Sequence, residues 1–195
     1  MRSRPCHPPR CLVIAAVTRE NAVAGVSVDN HHPRLRVDRR GLERHLRDAL
    51  KRLGRAGSWV DVQLVDDATI RELNAQWRHR DEVTDVLSFA LQDDPDDVTP
   101  VPVLGDIVIS LDTAYRQAAA MRTHLVALRA SHKYRLRDEV FFLATHGLLH
   151  LLGYDHQSAD DASEMEQLER RLIESFCSVD VHDLDRSDHG LHLDD

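Results

Sequence analysis

Cysteine is scarce in this sequence: Cys6, Cys11 and Cys177 are the only three in 195 residues, an odd and scattered set. That speaks against a disulfide framework and for a reducing compartment, so a cytoplasmic location is expected. Long hydrophobic runs are missing as well. The longest, Cys11–Val17, has seven residues, against the roughly 20 that a membrane-crossing helix needs. No transmembrane helix and no membrane partner are expected. Lysine is nearly absent, 2 against 23 arginines, a bias that a GC-rich genome produces as readily as selection for guanidinium chemistry.

What is present suits a globular domain: 42% hydrophobic and 30% charged residues. A chain of this length buries enough surface to hold a core without a metal or disulfide. The net charge of −8 is unevenly spread, with 13 Arg/Lys against 5 Asp/Glu in residues 1–60 and 12 against 28 thereafter. Between Arg116 and Arg137 lie six basic residues and no acidic one. Such a run is either a polyanion footprint or the solvated face of a helix.

Residues 1–25 hold Pro5, Pro8 and Pro9 and no periodic pattern. Basic residues before a short apolar run suggest a signal peptide, but no convincing cleavage site follows, and a disordered extension is the expectation. Val26 and Val28 then mark a short strand, and Leu42, Leu46, Leu50 and Leu53 a helix that Gly54 stops. Trp59–Val65 reads as a strand. Asp66 or Asp67 caps a helix bearing Ile70, Leu73 and Trp77. Strands are expected at Asp85–Leu91 and Val103–Ser110, separated by the solvated loop Gln92–Pro100. Helices are expected from Leu111 to about Ala130 and from Asp138 to Gly153. A last one, after a Ser158/Asp161 capping box, carries the stripe Met165, Leu168, Leu172 and Phe176. Residues 179–195 read as an acidic, His-rich disordered tail. With no internal repeat and no clean βαβ alternation, the pattern points to an α+β fold: a single compact domain over 26–178, with a small mixed β-sheet packed with helices.

Chemistry concentrates in Thr145-His146-Gly147-Leu148-Leu149-His150-Leu151-Leu152-Gly153-Tyr154-Asp155-His156. Residues four apart on a helix share a face, so His146 and His150 project together. Gly153 permits a left-handed turn that can return His156 to the pair. Three imidazoles with no cysteine nearby make an open zinc site of the catalytic kind, at the end of a central helix. One His pair alone would more simply be packing; the third histidine after the glycine tips the reading to metal. The remaining histidines, His31, His32, His182, His189 and His192 among them, are expected at the surface. The same spacing occurs in metzincin peptidases, whose general-base glutamate would stand at Gly147. Its absence argues against peptide hydrolysis. A second cluster, Asn74–Phe89, puts Arg78 at a helix end before a buried strand. Arg78 either clamps a phosphate or forms a salt bridge to Asp81 or Asp85.

The His146–His156 segment, the Asn74–Phe89 segment and Leu104-Gly105-Asp106-Ile107 together resemble the bacterial YbeY family of zinc-dependent endoribonucleases, over roughly Val26–Ser178. The resemblance implies a single α+β domain, one zinc ion per chain on His146, His150 and His156, and a functional arginine at Arg78. It implies single-stranded rRNA precursor as substrate, with the small ribosomal subunit and its proteins as partners. The role implied is 16S rRNA 3′-end maturation and ribosome quality control. Departures are Trp77 where Tyr is frequent, Ala90 where Pro is common, and Thr145 before the first histidine; none removes a ligand.

Metal-assisted phosphodiester cleavage follows as the expected reaction, with Arg78 stabilising transition-state charge and Asp155 and Asp85 as proton acceptors or orienting groups. Two rivals stand beside it: a zinc-stabilised ribosome assembly factor with little cleavage activity, and a metallopeptidase using another base.

Overall fold

The computed structural model describes residues 24–91, 101–127, 134–155 and 158–174. The described residues form four strands and five helices, in chain order β1 (Gly25–Asn30), α1 (Arg39–Arg52), β2 (Trp59–Val65), α2 (Asp67–Arg78), β3 (Val86–Ala90), β4 (Val103–Ser110), α3 (Leu111–Ala127), α4 (Leu136–Leu151) and α5 (Ala159–Ile173). The strands form one mixed sheet in the order β1-β2-β4-β3, parallel except for β3, which runs antiparallel to β4 at an edge. The fold is α+β as expected, yet β1-α1-β2 is a parallel crossover unit that the sequence pattern did not disclose. Gly25, assigned to the extension, is the first residue of β1. The rest of that extension up to Val23, the loop 92–100 and the tail 179–195 lie outside the described residues, as does Phe176.

Two apolar layers sandwich the sheet. On one face Val26, Val28, Val60, Val62, Leu64, Ile107 and Ile109 meet α1, α3, α4 and α5 in the main core. On the other, Val65, Leu87 and Val108 are covered by Ile70 and Leu73 of α2, with Trp77 edge-on to Phe89. Helix α4 is the hub. Its residues 138–149 are all buried, because it packs against α1, α3, α5 and the β3–β4 edge at once; a helix apolar on every side belongs inside.

Side-chain caps set the helix limits. Asp38 accepts from Gly41 N at 3.0 Å, Asp66 from Thr69 N at 2.9 Å, and Ser158 Oγ from Asp161 N at 3.1 Å. Asp138 accepts from Arg135 N at 2.9 Å and opens α4. Gly105 sits at a register shift between β2 and β4 with φ +141°, and a Cβ there would lie 2.1 Å from the Phe89 carbonyl oxygen. Only glycine fits, which gives the Leu104-Gly105-Asp106 segment its physical reason.

His32 departs from the surface position expected of it. It is buried, its Nδ1 accepts from Arg34 N and Leu35 N, and its Nε2 meets Asp112 at 3.1 Å. A ring that caps a loop in this way must be inside.

Candidate catalytic site

The site begins with a close approach. At Gly147 a Cβ would lie 2.9 Å from both Ile107 Cγ2 and Ser88 Oγ. Without a side chain, α4 settles directly onto β3 and β4, and the glutamate that a metzincin carries at this place has no room. His146 and His150 flank that contact. His146 is buried and His150 half-buried, and their Nε2 atoms face each other at 2.9 Å. Their rings meet edge to face, with centroids 4.5 Å apart. Phe142 lies nearly parallel to the His146 ring. On the far side of that ring, Nδ1 meets Oε1 of Glu169 at 2.6 Å.

The turn after α4 forms as the glycine predicts. Gly153 adopts φ +89°, its N–H donates to the His150 carbonyl at 3.0 Å, and Tyr154 N donates to the Leu149 carbonyl at 3.1 Å. Tyr154 packs on the core and Asp155 follows, partly buried. His156 lies outside the described residues. Among the described residues no group of three or more His, Cys, Asp or Glu side chains is placed to hold a metal ion; the two histidines and the carboxylate behind one of them are what is seen.

A third imidazole, from α1, backs the helix at Thr145. Thr145 Oγ1 donates to the Phe141 carbonyl at 2.8 Å and accepts from His45 Nε2 of α1 at 2.8 Å. His45 stacks on Phe141. Burial pushes its pKa down to about 4; Asp48 opposes the shift and Arg52 adds to it. The ring is neutral and serves to lock α1 onto α4.

Arg78 ends α2. His79 takes the left-handed conformation there, φ 59°, and Asn74 Nδ2 donates to the Glu82 carbonyl at 3.0 Å, which pins the following loop. Neither salt bridge weighed for Arg78 forms. Asp81 is taken by Arg71 through two hydrogen bonds of 2.8 and 3.0 Å, and the guanidinium holds its carboxyl below the usual range. Asp85 is buried, accepting from Gln117 Nε2 at 2.8 Å and from Val86 N at 2.8 Å. Those bonds anchor β3 against α3. Arg78 is exposed, and its Nη2 donates to the Ser88 carbonyl at 3.4 Å. Ser88 is also the residue whose hydroxyl crowds Gly147. Ser88 of the edge strand thus touches Arg78 through its carbonyl and lies against the turn of α4 between the two histidines.

The basic run between Arg116 and Arg137 is not a continuous free surface. Arg116 pairs with Asp67 at 2.8 Å, and Arg137 pairs with Asp138 at 3.1 Å while lying over the Phe141 ring. Sequence reasoning missed Glu169. The signal was there: it stands four residues after Met165 and three before Leu172, on the apolar stripe of α5 itself.

Comparison with known proteins gives this arrangement its class. The family model described as "Endoribonuclease YbeY" matches residues 27–177. Over 147 residues the chain is 42% identical to "Endoribonuclease YbeY" of Anaeromyxobacter sp. strain Fw109-5, covering 75% of this chain and 69% of that one. Over 132 residues it is 43% identical to the protein of the same name from Pseudomonas fluorescens, covering 68% and 79%. The solution structure of TM1509 from Thermotoga maritima is 25% identical, with a TM-score of 0.48, over 77% of this chain and 86% of that chain. The chain belongs to the YbeY endoribonuclease family. No described helix is long and apolar enough to cross a membrane.

Proposed function

We propose that the protein is a zinc-dependent endoribonuclease that cuts single-stranded RNA, with one zinc ion held by His146, His150 and His156. The observation that carries this reading is the facing Nε2 pair of His146 and His150, 2.9 Å apart on a helix pressed against the sheet by Gly147. The donor set fits: the two imidazole nitrogens face each other, and the left-handed Gly153 that follows them stands three residues before His156 in the sequence. Zinc bound there would supply Lewis acidity to a phosphodiester.

The chain's own residues do the rest. Arg78 has no carboxylate partner among the described residues. Its planar fork can hold two phosphate oxygens and offset the charge that builds on them. Asp155, adjoining His156, is the carboxylate proposed to accept a proton. An open edge of sheet admits a single strand more readily than a stiff duplex, whose grooves resist entry. The physiological substrate proposed is the 3′ region of small-subunit (16S) rRNA precursor, in the cytoplasm, with the small ribosomal subunit and its proteins as partners and ribosome quality control as the wider role.

Metal content and cleavage of a single-stranded RNA, measured on wild type and His150→Ala, test the reading. Loss of both in the variant supports it. Full cleavage by a zinc-free His150→Ala protein overturns it.

A further inference from the structure

We propose that Glu169 is the positioning residue of the histidine pair: its carboxylate holds His146 as the Nδ1–H tautomer and so presents Nε2 as a lone-pair donor toward His150. The inference rests on the proposed zinc reading for its purpose, but not for its geometry.

A carboxylate is an unlikely occupant of the place where Glu169 stands. Its neighbours on the stripe, Met165 and Leu172, are core residues, and Glu169 is itself 8% exposed. Burying a charge there is costly unless it is paired. The partner it finds is His146 Nδ1, at 2.6 Å, on a ring that is 2% exposed and backed by Phe142. One proton is shared across that 2.6 Å contact, and the proposal places it on Nδ1, with the carboxylate oxygen accepting. A neutral imidazole with its proton on Nδ1 has a bare Nε2. That Nε2 faces the Nε2 of His150 at 2.9 Å. A cation held by the two Nε2 atoms would meet His146 already in the form that coordinates. A carboxylate behind a metal-binding imidazole also raises the basicity of the ring, and loss of such a partner typically weakens metal binding 10–100-fold.

The competing role is structural: Glu169 simply ties α5 to α4. The two separate on metal-free protein with 15N-labelled histidine, studied by NMR at pH 8, together with zinc affinity by chelator competition and the melting temperature of the same samples. The proposal expects His146 to carry its proton on Nδ1 in wild type. In Glu169→Ala that proton shifts toward Nε2, and the zinc dissociation constant rises about 10–100-fold. Glu169→Gln, whose amide oxygen still accepts from Nδ1, keeps the tautomer and loses less affinity. Should Glu169→Ala not fold, Glu169→Gln carries the test. A purely structural tie predicts a lowered melting temperature with unchanged zinc affinity. That result, or a wild-type His146 protonated on Nε2, overturns the proposal. A wild type that shows the Nδ1–H tautomer but takes up no zinc overturns the proposed function instead and leaves the tautomer assignment standing.

Discussion

The two halves of the candidate site are built differently. The histidine half is enclosed: His146 touches Glu169, Phe142 and His150, and the turn that bears it is pressed onto Ile107 and Ser88. The arginine half is open: Arg78 is exposed and holds one long hydrogen bond to the edge of the sheet. Geometry in the first half is set by packing, so changes there should be felt in zinc binding and in stability. The second half is free to meet a ligand, and changes there should be felt as activity alone.

The sharpest way to break that comparison is Arg78→Ala. Cleavage should fall roughly 10²–10³-fold, the usual result of removing one charge-stabilising donor, with zinc content and melting temperature unchanged. Arg78→Lys should restore only part of the rate, because an ammonium lacks the planar fork. A variant that melts early yet cleaves normally when folded would move Arg78 into the structural half.

The enclosed half has its own signature in pH. In the unfolded chain the His45 ring takes up a proton near pH 6.5, whereas in the folded chain burial delays this to about pH 4. Its contribution to stability is therefore complete above pH 6.5 and is lost as the pH falls toward 4, by about 3 kcal/mol in all. Urea unfolding of wild type and His45→Gln between pH 7 and 4.5 should show the variant losing less on acidification. Parallel losses would contradict the neutral, buried ring.

Gly147→Ala should cost less. Overpacking against Ile107 costs about 1–3 kcal/mol, and alanine's better helix preference returns about 1 kcal/mol. A net loss near 1 kcal/mol lowers the melting temperature by about 2–4 °C, and zinc content should fall with it as α4 lifts from the sheet. Smallest of all is Asp81→Asn. The Arg71–Asp81 pair is fully exposed, and such pairs contribute little. Neither melting temperature nor zinc content should move measurably.

The same contrast governs what could be read from sequence. Strands β2 and β4 fall at Trp59–Val65 and Val103–Ser110, the limits that their apolar pattern marks, because each buries at least one face in the core. The spacing of His146 and His150 put them on one helix face, and Gly153 announced its own turn. What stayed hidden needed a partner distant in the chain. His32 meets Asp112, eighty residues on; His45 meets Thr145, a hundred on; Glu169 meets His146 across two helices. No local period encodes such pairs. Asp85 has a distant partner of the same kind, Gln117 of α3, thirty-two residues on.

Zinc stoichiometry tests the central claim most directly. Purified wild type should hold about one zinc per chain, and His156→Ala should lose most of it, since two imidazoles alone leave the coordination sphere half filled. Full zinc occupancy in His156→Ala, or none in wild type, would contradict the account.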